Sequence, residues 1–178
     1  MRIVALDPGN SHTAWCELTD GEPTRAAKVP NMDLLVEVRA GEFNGADVFA
    51  IEMIASYGMA VGREVFETCL WIGRFQEAWE ARGGEARLVY RRDVKLFLCE
   101  SNRANDANIR AALIDRFGPG KDLAIGKKHR PGPLYGITGD EWSALAVAVT
   151  ADGKPSVPPL FDERPRAPAT QAAEEKPF

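Results

Sequence analysis

The stretch RIVALDPGNSHTAW, residues 2–15, decides the fold. Its first residues are apolar at odd and even positions alike. That is the pattern of a strand buried on both faces, central in its sheet. The run ends on Asp7 and breaks at once into Pro8-Gly9-Asn10, which is turn chemistry. A carboxylate is out of place at the end of a buried strand unless the fold needs a charge there. A second run, DVFAIEM at residues 47–53, repeats the design with Glu52 near its end.

Alternate residues of a strand share a face. Ile3, Ala5 and Asp7 therefore share one face, and Val48, Ala50 and Glu52 another. If the two strands are neighbours, Asp7 and Glu52 sit side by side at the sheet's C-terminal end. Two buried carboxylates are costly unless a cation or a proton intervenes. A divalent metal solves that problem. Oxygen ligands without a Cys or His cluster point to Mg2+ or Mn2+. A third acidic position lies in GITGDEWSALAVAVTA, residues 136–151, where Asp140 and Glu141 open an apolar helix. Thr138 and Glu141 also have the spacing of a capping box, and an acid there suits the helix dipole.

The remaining chain fills in a mixed sheet. HTAWCEL and TRAAKVP read as strands joined through Thr19-Asp20-Gly21. Residues 32–39 read as a short helix. A longer one covers about 61–82, with Val61, Val65, Ile72, Phe75 and Trp79 on one stripe. ARLVY is a further strand, and 91–98 and 105–117 are helical. Residues 118–137, rich in Gly, Pro and Lys, read as a mobile loop. Residues 139–151 form the last helix, and the Pro-rich segment 152–178 reads as a disordered tail. The expected architecture is α/β: a mixed five-stranded sheet flanked by helices on both faces, one domain over 1–151.

Composition narrows the class. The 178 residues suffice for one domain with a core. Cys16, Cys69 and Cys99 are odd in number and form no CxxC, which disfavours a disulfide framework or structural zinc. A reducing cytoplasm fits, with no signal-peptide layout and no apolar run long enough for a membrane. The net charge is -4, yet residues 87–130 hold eleven Lys/Arg against five acids. Such a segment is either a phosphate-binding footprint or a set of solvated helix faces. Its candidates for DNA contact are Arg91, Arg92, Lys95, Arg103, Lys127 and Lys128. Tyr57, in the loop IASYGMA after Glu52, either packs locally or stacks on an unpaired base.

The motifs ALDPGNSHTAW, FAIEM and DEWSALAVAVTA, in this order, resemble those of the RuvC-type Holliday-junction resolvases, particularly the phage-encoded branch. These enzymes belong to the RNase H-like (retroviral integrase) superfamily. The resemblance covers about residues 1–151. It implies a metal-dependent endonuclease that cuts four-way junctions and other branched DNA, giving 5'-phosphate ends. It further implies two Mg2+ ions per site, replaceable by Mn2+, and a homodimer packed partly through the long helix. Gly62 and Gly73 in that helix would permit close approach or pack on the sheet. Asp7, Glu52 and Asp140 match the family's acidic positions, and Lys95 matches a lysine that approaches the scissile phosphate. The family's fourth acid falls on Ser143, so either Ser143 contributes through its hydroxyl or a water, or Glu141 supplies the carboxylate. A second family lysine falls on Asp106, leaving its task to Arg103 or Lys127/Lys128. Two other readings stay open. Asp-Pro-Gly-Asn-Ser also suits an actin-like or sugar-kinase-like ATPase, which needs two such domains. Ser143 suits a junction-binding protein with weakened chemistry.

Overall fold

The computed structural model describes residues 1–56, 58 and 60–153. Five strands form the main sheet: β1 (Arg2–Pro8), β2 (His12–Thr19), β3 (Glu22–Pro30), β4 (Val48–Met53) and β5 (Ala86–Tyr90). Their spatial order is β3-β2-β1-β4-β5. β1, β2 and β3 run antiparallel in succession, whereas β1, β4 and β5 are parallel neighbours. The sheet is therefore mixed, with β1 at its centre. Burial of Ile3 through Leu6 matches the two-faced apolar run.

Helices cover both faces. On one side lie α1 (Asn31–Ala40) and α2 (Arg63–Glu80). They close a core with Val4, Leu6, Trp15, Phe49 and Ile51. Phe49 stacks on Trp79 with ring centroids 4.5 Å apart, and Trp15 meets Phe43 edge-on at 5.2 Å. Burying each such side chain contributes ~1.5–3 kcal/mol. On the other side lie α3 (Arg91–Cys99), α4 (Asp106–Phe117) and α6 (Glu141–Gly153). There α6 is buried almost all round and lies across β1 and β2. Its alanines at 144, 146, 148 and 151 let it approach the sheet closely.

Two expectations need correction. Val61 lies before α2 and is exposed, so the buried stripe is Thr68, Ile72, Phe75, Ala78 and Trp79. Residues 118–137 are not one loop. They hold a short helix, α5 (Lys121–Ala124), and a ribbon of β6 (Gly126–Lys127) with β7 (Arg130–Pro131). Backbone hydrogen bonds from Gly132 to Ile125 and from Leu134 to Ala124 tie this segment down, and Ala124 and Leu134 are fully buried. Residues 154–178, most of the expected tail, lie outside the described residues.

Candidate metal centre and nucleic-acid interface

Strand register builds the site. Asp7 pairs with Ala14, and Ala14 pairs with Lys28. On the other flank β1 and β4 pair through Leu6 and Ile51, so Glu52 falls beside Asp7 one step later. Lys28, Ala14, Asp7 and Glu52 thus form one row across four strands, on the face that α6 covers.

The Asp7 and Glu52 carboxyls share a hydrogen bond. Burial, and then the Asp7 charge, push Glu52 up to about 8. Burial also raises Asp7, opposed by the bond to Glu52 and by Arg91. Burial thus favours the protonated form of Glu52 at neutral pH. Ser143, in the first turn of α6, lies near enough for its hydroxyl to oppose the rise in the Asp7 pKa.

Two cations flank the pair. Arg91, the first residue of α3, places Nη1 3.5 Å from Glu52 Oε1, and its Nη2 donates to Asp106. Burial works against the Arg91 charge, but Glu52 and Asp106 outweigh it. At the other end Lys28 Nζ donates to Asp140 Oδ2 at 2.5 Å. That bond, and the Asp140 charge, raise the Lys28 pKa. Asp140 stands just ahead of α6 and is more than half exposed.

Among the described residues no three acidic, His or Cys side chains converge tightly enough to hold one ion. The geometry shows why: Asp7 and Glu52 touch, while Asp140 is turned toward Lys28. The donor set still fits a hard divalent cation. It is all oxygen, with two carboxyls side by side.

No family model matches the chain, and no curated protein matches it. Solved structures do. Thermus thermophilus RuvC in complex with a Holliday junction substrate aligns with a TM-score of 0.62 at 17% identity, over 84% of this chain and 92% of that one. The chain has the RuvC fold. A second Thermus thermophilus RuvC structure gives a TM-score of 0.58 at the same identity and coverage. The likeness bears out the RNase H-like mixed sheet with flanking helices.

Within this RuvC fold the sequence-predicted residues separate into groups. Asp7, Glu52 and Ser143 meet, and Asp140 is displaced toward Lys28. Glu141 is tied back: its Oε2 accepts from the Thr138 backbone N at 2.7 Å and from the Thr138 hydroxyl at 3.3 Å. It serves the helix end. Lys95 lies one turn after Arg91 on α3 and makes no ion pair among the described residues. Arg91, a candidate for DNA contact, lies against Glu52. Arg92 and Arg103 are exposed near this end, and Lys127 and Lys128 stand on the ribbon. Tyr57 lies outside the described residues. Sequence reasoning missed Lys28. The signal was its place in a three-strand row with Asp7, which needs the register of two hairpin pairings. No helix among the described residues is long and apolar enough to cross a membrane.

Proposed function

We propose that the chain is a divalent-metal-dependent endonuclease that resolves four-way and other branched DNA junctions. The observation that carries this reading is the partly buried pair of carboxyls, Asp7 and Glu52, set side by side at the ends of adjacent parallel strands. The RuvC fold supports it, because one of the neighbours that share the fold is bound to a Holliday junction substrate.

Asp7, Glu52 and Asp140 are the residues that would hold Mg2+, or Mn2+ in its place. Such ions activate water and stabilise a departing oxygen in phosphodiester hydrolysis. The chain's own side chains prepare the site. With a cation held there, both carboxyls would be ionised, their proton lost to solvent, and Arg91 would offset part of the remaining negative charge. Asp106 keeps the guanidinium in place. Ser143 stands beside Asp7 at the start of α6. To join Asp7 and Glu52, Asp140 would have to leave Lys28, whose ammonium would then be free to face a phosphate. Lys95 and Arg92 extend the positive edge along α3. A homodimer would set two such sites about a two-fold axis, matching two opposed strands of a junction.

The test is a synthetic four-way junction incubated with protein and Mg2+ or Mn2+. Wild type is expected to make paired nicks with 5'-phosphate ends. Asp7→Asn is expected to bind the junction and leave it intact. Near-normal cleavage by Asp7→Asn at saturating metal removes Asp7 from the site. Binding without cleavage by wild type favours the junction-binding reading.

A further inference from the structure

The ribbon carries a local conflict. Lys127 and Arg130 are directly opposed across its two strands. Side chains so placed have Cβ atoms about 4.5–5.5 Å apart, and like charges there repel. Lys128 and His129 form the turn between them, and all four side chains are exposed. Among the described residues, Lys127, Lys128 and Arg130 make no salt bridge.

The base of the ribbon is closely packed against its neighbours. Gly126 has φ +70°, and a Cβ there would lie 2.3 Å from the Arg130 carbonyl oxygen. A Cβ on Gly132 would lie 2.2 Å from the Leu123 carbonyl oxygen. The Gly132 and Leu134 backbone bonds and the buried Leu134 side chain anchor the rest. An anchored base thus presents a like-charge pair, without a salt bridge among the described residues, to solvent. Local rules broken without a visible internal gain point to function. An anion supplied from outside would turn the repulsion into a binding site.

We propose that Lys127 and Arg130, with Lys128 at the turn, form a seat for backbone phosphates of a duplex arm, separate from the acid row. The inference rests on the branched-DNA reading above, and it names the element that grips the arm. A narrow two-stranded ribbon also has the shape that a major groove admits. The seat serves affinity and takes no part in the chemistry.

The experiment measures binding of a labelled four-way junction without divalent metal, over a range of salt, for wild type and Lys127→Gln/Arg130→Gln. The double variant is expected to bind at least about tenfold more weakly at low salt. Its log-log salt slope should shrink by up to about 0.9 per lost contact, so by up to about 1.8. Its melting temperature should not fall, and at low salt it should rise slightly, because the repelling pair is gone. A ribbon that only braced the fold would show the opposite thermal change. Lys127→Arg/Arg130→Lys keeps the charges and should keep affinity and slope. Unchanged affinity and slope in the Gln variant, with wild type binding the junction, overturns the ribbon proposal alone. Wild type that binds no DNA overturns it together with the reading it rests on.

Discussion

Glu52 carries a free-energy cost that the metal-free fold does not relieve. Its pKa is raised to about 8 by burial and by Asp7, so the folded chain binds that proton more tightly than the unfolded chain does. The stabilising share of this group is complete below the ordinary carboxylate pKa. It is lost as pH rises from there toward about 8. Glu52→Gln keeps a hydrogen-bond donor for Asp7 and removes the ionisation. The metal-free variant should therefore melt several degrees above wild type at high pH, with the gap closing near the ordinary carboxylate range. It should also lose cleavage. Mg2+ should raise the melting point of wild type and hardly move that of the variant, since only the native site binds metal. Calorimetry across pH, with and without Mg2+, checks this; a variant no more stable than wild type at high pH would show no strain at Glu52. The same scale separates the candidates for the remaining ligand. Lys28 holds Asp140 by an exposed bridge, so Lys28→Gln should free Asp140 and lower the metal concentration for half-maximal cleavage. Ser143 lies near Asp7, so Ser143→Asp should lower that concentration too. Glu141→Gln should cost stability and leave the metal titration in place, because its carboxylate is bound to Thr138. If Glu141→Gln is as inactive as Asp7→Asn while still folded and binding junctions, Glu141 is a ligand and the capping account is insufficient.

Helix α6 is the element that links core to site. Its buried alanines set how near it lies to β1 and β2, and its N-terminal turn brings Ser143 to Asp7. Ala148 is fully buried, so Ala148→Leu should overpack this contact and cost about 1–3 kcal/mol. Urea unfolding checks it: the midpoint should fall with the slope unchanged. Because the helix would be lifted from the sheet, cleavage per folded molecule should fall as well. A variant with wild-type midpoint and rate would mean the helix has room to spare. At this scale much of the fold was legible in the sequence. Two near-continuous apolar runs mark central strands, and each ends on an acid that the parallel register then sets side by side. Helix α2 was legible from its stripe, and the Glu141 cap from a three-residue spacing. The Lys28 bridge was not, because its partner is 112 residues away. The pairing of Arg91 with Glu52 and Asp106 was not legible either, because both partners come from other elements. The ribbon has no apolar period to read. Its anchors are glycine contacts and two buried residues, and such features leave only a Gly/Pro-rich trace.

For the whole molecule, α2 has two faces with different requirements. One is buried in the core; the other exposes Phe66 at 61% and Leu70 at 69%. A Cβ added at Gly62 or Gly73 would meet nothing within 4 Å, so neither glycine serves the packing on the sheet. Phe66, Leu70 and Gly73 recur at helical spacing, and the adjoining α1 exposes Met32 and Val36. Apolar surface of this kind marks an interaction site more often than a solvated one. A second copy of the chain is the partner that the branched-DNA reading requires, and a helix crossing its own symmetry mate at a glycine fits a two-fold interface. Phe66→Glu/Leu70→Glu sets like charges against each other across such an axis. Both side chains are exposed, so monomer stability should change by only about 0.5 kcal/mol for each. Sedimentation equilibrium should show a dimer for wild type and a monomer for the variant. On a plasmid bearing a cruciform, wild type should give mostly linear product. The variant should give nicked circles, because its two cuts are no longer made within one bound complex. A variant that remains dimeric places the interface elsewhere. One that becomes monomeric yet still gives linear product shows that paired cutting does not depend on this contact.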